Sequence, residues 1–235
     1  DLSTHSIIET DYAEDGMVDL TDRVAFARGE RPADLLLKNL KLVNVFTGEI
    51  HEAEIVIVGE YIAAVGQGYK ATEVIDLGGR YVCPGFIDPH VHIESAMVPP
   101  REFPKAVLPH GVTSVVADPH EIANVLGLEG IRFMLQDAKH GPINIYITAP
   151  SCVPSTSMET SGAQLEFYDL ANLLSDPWVL GLGEVMNYPG VVSGDGRILQ
   201  KIQAYSGKVI DGHCPGLTGK GLNAYVSAGV MSDHE

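Results

Sequence analysis

From residue 82 onward, the chain repeats one unit, a short apolar stretch followed by a segment with helical character. The apolar stretches do not alternate with polar residues, which is typical of parallel strands buried on both faces. Repeated strand–helix units predict parallel strands joined by right-handed crossovers. The predicted strands cover residues 82–87, 112–117, 143–148, 178–182, 208–210 and 230–231, and the predicted helices cover residues 101–108, 121–139, 164–174, 197–205 and 221–228.

Residues able to carry chemistry follow several of these strands. His90 and His92 follow the first strand, and Glu184, His213 and His234 follow three later ones. In a closed (β/α)8 barrel, all strands end at one mouth, whereas strands far from the switch point of an open sheet cannot reach a common centre. The sequence therefore predicts an α/β fold with a TIM-type barrel. A complete six-unit open sheet is the alternative.

Chain length limits how much of that barrel is present. A barrel of this type takes about 250 residues. Residues 82–235 supply about six of its eight units, so we expect them to form a barrel truncated at its C-terminal side.

The first 81 residues have a different character. Residues 1–32 are polar and mixed, and predict an N-terminal extension with a short helix at residues 19–27. Residues 33–81 contain short β-type runs separated by glycines, which predict a small β-sandwich-like module before the barrel. The runs cover residues 35–37, 42–46, 54–58, 62–65 and 74–77.

The histidines and the glutamate indicate a metal site. His90 and His92 are two residues apart at the end of a strand, so both imidazoles point to the same side. Such a pair supplies half of a divalent metal site, although one pair alone is weak evidence. Glu184 can bridge two cations, and His213 and His234 would complete the second.

Charge and cysteine content narrow the partners and the compartment. The chain has 15 basic and 31 acidic residues, a formal net charge of -16. Binding to nucleic acid or to an anionic membrane needs Lys and Arg, so neither partner is expected. Cys83, Cys152 and Cys214 have no close spacing, and the chain shows no secretory pattern or membrane-spanning run. We expect a cytoplasmic protein with free thiols; the sequence leaves a homo-oligomer open.

Longer motifs resemble a known family. The string PGFIDPHVHIES, with Glu184, His213 and His234 after it, resembles the amidohydrolase superfamily of metal-dependent hydrolases. Over about residues 33 to 235, the chain looks most like the adenine deaminase family within it. That family has a glutamate at the fourth strand, where dihydroorotase and many others have a carboxylated lysine. The matching strings are GVTSVVADPHEIANVLG, PSCVPST, GLGEVMNYPGV, DGHCPGLTGKGLNAYVSAGV and SDHE.

The resemblance implies a reaction and a set of ligands. Adenine would be hydrolysed to hypoxanthine and ammonia by a metal-activated hydroxide that attacks C6. Two divalent ions are implied, Mn²⁺ or Fe²⁺, with Zn²⁺ as a further candidate. His90 and His92 would bind one ion, His213 and His234 the other, and Glu184 would bridge them. The family also has a metal-binding aspartate at an eighth strand, beyond this sequence, so we expect residues 1–235 alone to be inactive.

A proton donor to the purine ring is also needed, and the sequence offers candidates at the start of one helix. Glu121, assisted by Asp118 or His120, is the proposed donor. A carboxylate in the first turn of a helix also stabilises that helix, which explains Glu121 equally well. His120 can equally be a hydrogen-bonding partner of a ligand.

Two other functions stay open at this point. One is a cyclic-amide hydrolase similar to dihydroorotase, which release of ammonia from adenine would exclude. The other is a non-catalytic metal-binding module, which would take up metal without turnover.

Overall fold

The computed structural model describes residues 19–234, and the chain divides into two compact units between Pro84 and Gly85. In the first unit, the described residues form one four-stranded sheet in the order β3-β2-β1-β4, with β1 and β4 parallel and the other pairs antiparallel. Its elements are α1 (Leu20–Ala27), β1 (Ala33–Asn44), β2 (Glu49–Val58), β3 (Tyr61–Val65) and β4 (Ala71–Val82).

This unit differs from its sequence prediction in two ways. Within residues 33–82 there is a single sheet, so the expected sandwich-like pair of sheets is wrong. The predicted β runs at residues 35–37 and 42–46 belong to one strand, β1. Asn39 adopts a positive φ of 54°, and the pairing with β2 resumes at Leu40. Gly78 and Gly79 similarly lie inside β4 at positive φ rather than ending it. The short helix is present as α1, and residues 1–18 of the predicted extension lie outside the described residues.

The second unit is built on a parallel sheet of six strands. Their order is β10-β9-β8-β7-β6-β5, so each strand pairs with its neighbour in sequence. The strands are β5 (Phe86–Val91), β6 (Val112–Ala117), β7 (Asn144–Ala149), β8 (Val179–Val185), β9 (Val209–Gly212) and β10 (Ser232–Asp233). The helices are α2 (Pro104–Val107), α3 (His120–Leu126), α4 (Leu128–Ala138), α5 (Phe167–Ala171), α6 (Tyr188–Ser193), α7 (Gly196–Ala204) and α8 (Gly219–Ser227).

The six-stranded sheet is strongly curled. In a flat sheet, the two edge strands β5 and β10 would lie about 24 Å apart, at about 4.8 Å per strand. Instead, His90 in β5 and His234 beside β10 stack with ring centroids 3.9 Å apart. The sheet is thus a partial barrel whose strand ends face a common centre, which confirms the predicted barrel-type α/β fold.

Several element boundaries differ from the sequence prediction. The first barrel strand begins at Phe86, and Val82 ends β4, because Pro84 has no N–H to continue a ladder. The single helix expected at residues 121–139 is two helices that meet at Gly127, whose φ is 61°. Helix α6 was not predicted; the Asn187 side chain accepts a hydrogen bond from the amide of Gly190 and so caps it. The last strand lies at Ser232–Asp233 instead of residues 230–231.

Apolar side chains hold the helices against the barrel. Ile145, Ile147 and Leu182 are fully buried in the strands, and Ile198 and Ile202 of α7 pack into the same cluster. Burying one such side chain contributes about 1.5–3 kcal/mol. Within the described residues, no helix has the length and apolarity that crossing a membrane requires.

Candidate metal centre

The predicted site residues lie where the parallel strands end. Glu184 is the second-last residue of β8, and His90 is the second-last residue of β5. His92, His213 and His234 each follow the last residue of a strand by one position. Because the strands are parallel and the sheet is curled, these five side chains meet at one mouth.

The buried carboxylate of Glu184 lies at the centre of the cluster. Its Oε1 lies 2.8 Å from Nε2 of His90 and 2.8 Å from Nε2 of His92. The two Nε2 atoms are 3.1 Å apart. Ligand atoms that bind one cation at about 2.0–2.2 Å are themselves about 3 Å apart, so this triangle has suitable dimensions for a divalent ion.

The other oxygen of Glu184 faces a second pair of imidazoles. Oε2 lies 3.4 Å from Nδ1 of His213 and 3.9 Å from Nε2 of His234. These two ring nitrogens are 3.3 Å apart. One carboxylate therefore lies between two histidine pairs, each of which forms, with Glu184, a group of possible metal ligands.

Asp211 is a further member of the cluster that the sequence analysis missed. Its Oδ2 lies 3.2 Å from Nδ1 of His90 and 3.4 Å from Nδ1 of His234. Its Oδ1 accepts hydrogen bonds from the Ser232 hydroxyl (2.7 Å) and the Gly212 amide (3.0 Å). Asp211 and His213 are two residues apart at the end of β9, and strand periodicity places them on one face, so the signal was available.

His90 and His92 are oriented by partners of their Nδ1 atoms, on the side of each imidazole ring that faces away from Glu184. Nδ1 of His92 lies 2.9 Å from the carbonyl oxygen of Asp118, so this nitrogen donates to the backbone and turns Nε2 toward Glu184. The carboxylate of Asp211 likewise lies beside Nδ1 of His90. Partners of this kind orient metal-binding imidazoles and make them more basic.

The charges in the cluster are strongly coupled. Asp211 and then Glu184 raise the pKa of His90 to about 10, and Glu184 raises the pKa of His92 to about 9. Burial alone would raise the pKa of Glu184, but contact with His90 and His92 outweighs burial, and the pKa lies well below its usual value. The carboxylate is thus ionised, and positive charge is favoured at His90 and His92 beside it.

Unpartnered atoms support the fit of a cation. Within the described residues, Asp118 Oδ1 and His120 Nδ1 are buried without a hydrogen-bond partner. Buried polar atoms without partners are costly, and a bound ion satisfies them. Nitrogen and carboxylate donors of this kind suit Mn²⁺, Fe²⁺ and Zn²⁺.

The structure also brings Asp118 and His120 to the cluster. His120 Nδ1 lies 3.6 Å from Asp118 Oδ1 and 3.9 Å from Glu184 Oε1. Burial would lower the pKa of His120, but Asp118 and Glu184 raise it overall. The same three residues form another group of possible metal ligands.

Glu121 is held differently. Its Oε1 accepts a 2.6 Å hydrogen bond from the Ser95 hydroxyl, and no hydrogen bond or ion pair within residues 19–234 joins it to the histidines. The neighbouring Glu94 accepts from the amide of Ile122 at 3.2 Å, and its other oxygen is buried without a partner. Ser95 and Glu94 were not identified from the sequence, because their contacts depend on how the turn after β5 meets α3.

Comparison with known proteins agrees with this architecture. The amidohydrolase family model matches residues 81–235, and the chain belongs to the amidohydrolase family, whose members bind divalent metals. The chain is similar to adenine deaminase 2 of Carboxydothermus hydrogenoformans, at 52% identity over 219 residues. It is also similar to adenine deaminase of Kosmotoga olearia, at 51% identity over 221 residues. These matches cover 93% of this chain but 38% of each relative.

Solved structures share the fold at low sequence identity. N-acetyl-D-glucosamine-6-phosphate deacetylase from Mycobacterium smegmatis has a TM-score of 0.56 at 20% identity, over 86% of this chain and 55% of that one. D-hydantoinase from Thermus sp. has a TM-score of 0.53 at 18% identity, over 84% of this chain and 56% of that one. At these identities, the likeness is one of fold.

Proposed function

We propose that this chain provides the metal-binding part of an adenine deaminase, which converts adenine and water to hypoxanthine and ammonia. The central observation is the Glu184 carboxylate, which has two imidazoles facing each of its oxygens. Similarity to two named adenine deaminases at about half identity supports the substrate. Because the chain spans 38% of their length, the reaction is proposed for a protein of the relatives' full length.

The proposed ligands follow from the distances. His90 and His92 would hold one divalent ion, His213 and His234 would hold the second, and Glu184 would bridge them. Mn²⁺ or Fe²⁺ is the proposed metal, with Zn²⁺ as the next candidate, since imidazole and carboxylate suit all three. When bound, two such ions acidify a shared water and stabilise negative charge near the reacting carbon.

The proposed role of the chain's other residues is to move protons. The oxygen of water bonds to C6 of adenine and the C6–N bond breaks. One proton of the water leaves with the amino group as ammonia, and the other ends on the ring nitrogen of hypoxanthine. Glu121 supplies a proton to the ring, and Asp118 or His120 assists. The Ser95 hydroxyl supports this role because its hydrogen bond to Oε1 fixes the carboxylate of Glu121.

The negative net charge of the chain is compatible with adenine as the substrate. A net charge of -16 suits a small neutral base better than a nucleic acid or an anionic membrane.

The described cysteines are free thiols, which supports a cytoplasmic location. We propose the domain division as an extension at 1–32, a β module that follows it as far as Pro84 and the hydrolase barrel from Gly85 onward.

A cyclic-amide hydrolase is the second candidate. Barrel similarity to D-hydantoinase keeps it open, although that similarity is one of fold. A non-catalytic metal-binding module is the third.

One experiment separates the three functions. A protein of the relatives' full length that contains this chain is loaded with Mn²⁺, its metal content is measured, and it is assayed with adenine and with dihydroorotate. We expect two metals per chain and ammonia release from adenine. Ring opening of dihydroorotate without ammonia release would support the second candidate, and metal uptake without either reaction would support the third.

A further inference from the structure

The backbone at the end of β8 is held by two hydroxyl groups from outside its sheet. The register between β8 and β9 shifts between Leu182 and Val185, so ladder pairing is interrupted where Glu184 lies. The Ser151 hydroxyl donates to the carbonyl oxygen of Glu184 at 2.6 Å. The Tyr225 hydroxyl donates to the carbonyl oxygen of Val185 at 2.7 Å. Side chains thus replace ladder contacts beside the central carboxylate.

Tyr225 also contacts the next strand. Its hydroxyl oxygen accepts a 3.0 Å hydrogen bond from the amide of His213, so one buried group joins the residue after Glu184 to His213 itself. Tyr225 is 1% exposed, and no bulk water competes for these bonds.

The close approach of this hydroxyl depends on a glycine. A Cβ atom added to Gly212 would lie 2.9 Å from the Tyr225 hydroxyl oxygen and 2.6 Å from the carbonyl oxygen of Ser232. Gly212 is the last residue of β9 and directly precedes His213. The strand end therefore leaves room for the tyrosine beside the histidine.

We propose that Tyr225 is a positioning residue, which sets the separation between Glu184 and His213 by fixing the backbone of both strand ends. The inference rests on the proposed metal site, to which it adds Tyr225 of helix α8, whose hydroxyl bonds to the backbone of the two strand ends. Residues in such positions typically change metal affinity by about 10- to 100-fold when they are altered.

The chain contains a matched control for this proposal. Tyr205 is also fully buried, and its hydroxyl donates to a backbone carbonyl oxygen, that of Leu170, at 2.8 Å. Its hydroxyl makes no contact with the metal cluster in the described part of the chain. Tyr205→Phe and Tyr225→Phe each remove one buried hydroxyl. Only Tyr225→Phe removes the hydrogen-bond acceptor of the His213 amide.

The test compares both variants with the wild type in a full-length protein that contains this chain. Metal affinity is measured by titration with Mn²⁺, the Co²⁺-loaded protein is examined by absorption spectroscopy, and thermal stability is measured without metal. We expect Tyr225→Phe to weaken binding of one of two Mn²⁺ ions by about 10- to 100-fold and to change the Co²⁺ spectrum. Tyr205→Phe should lower stability and leave both metal readouts unchanged.

The possible failures can be told apart. If the wild type binds two ions and both variants bind them with the wild-type affinities, the proposed role of Tyr225 is overturned. The proposed function is then unaffected. A wild type without two sites would overturn the proposed function and this inference together.

A measurement on the wild type covers the case in which Tyr225→Phe does not fold. Hydrogen exchange at the His213 amide should be slow with and without metal, because the hydroxyl protects it. Exchange as fast as that of an exposed amide would overturn the proposal.

Discussion

The backbone amide of Glu184 donates a 2.9 Å hydrogen bond to Oδ2 of Asp118, across the strand that separates them. Asp118 follows β6, Glu184 belongs to β8, and β7 lies between the two strands in the sheet. Such contact over an intervening strand is possible because the sheet is curled. Asp118 therefore holds Glu184, the proposed bridging residue, in place through the backbone amide of Glu184, in addition to the proposed role of Asp118 in proton transfer.

Gly183 makes this contact possible, which predicts the effect of a small substitution. In Gly183→Ala, the new Cβ would lie 2.3 Å from Oδ2 of Asp118 and 2.7 Å from the Thr148 hydroxyl oxygen. We expect a loss of stability of about 1–3 kcal/mol and weaker metal binding, because Asp118 must move. Thermal denaturation and metal content measure the two effects. Gly196→Ala is the control, since it meets no atom within 4 Å and should be neutral or stabilising.

Glu184→Gln tests the bridging carboxylate. The amide keeps the shape of the side chain but removes the negative charge that His120 and the four proposed ligand histidines face. We therefore expect loss of metal and at least about a hundredfold lower activity. Metal analysis and the rate of ammonia release measure this. Asp137→Asn, which alters another buried carboxylate, paired with Arg101 at 2.7 Å, should lower stability and keep the metal. Two metals per chain in Glu184→Gln would refute the bridging role.

Asp211→Asn tests the carboxylate that the sequence analysis missed. Asp211 lies beside His90 and His234, and loss of its charge removes the main cause of the raised pKa of His90. Because the rings then lose orientation and basicity, we expect metal affinity to fall by about 10- to 100-fold. Titration with Mn²⁺ measures the change, and Asp176→Asn, at a distant half-exposed ion pair with Lys139, serves as the control. Unchanged affinity in Asp211→Asn would show that the rings are oriented without it.

Glu121→Gln tests the proposed proton donor. The amide can still accept from Ser95 but cannot transfer a proton, so we expect kcat to fall by about 100-fold or more and the pH profile to lose one ionisation. Metal content should stay at the wild-type value, since Glu121 does not contact the histidines. Glu129→Gln, on the exposed surface of α4, should leave the rate unchanged. We would abandon this assignment if Glu121→Gln kept the wild-type kcat and pH profile.

The strands and their meeting point could be predicted from the sequence because both follow from periodicity. Apolar runs located β6 and β7 to within one residue at each end. Residues at the ends of parallel strands must share one edge, so the convergence of His92, Glu184 and His213 was also expected.

What could not be predicted depends on contacts between distant segments. Gly127 divides one expected helix because the chain turns there to positive φ, which helical periodicity does not signal. The roles of Ser95 and Tyr225 depend on how the turn after β5 meets α3 and how α8 packs against β9. Asp211 is a different case, since its spacing from His213 was visible and was not used.

The position of Asp211 has a consequence for how cations enter the site. Its single carboxylate lies beside His90 and His234, which belong to opposite halves of the proposed centre. The Ser232 hydroxyl and the Gly212 amide hold this carboxylate in one position, so its charge faces both halves at once. We therefore expect the loss of Asp211 to weaken the uptake of both cations together.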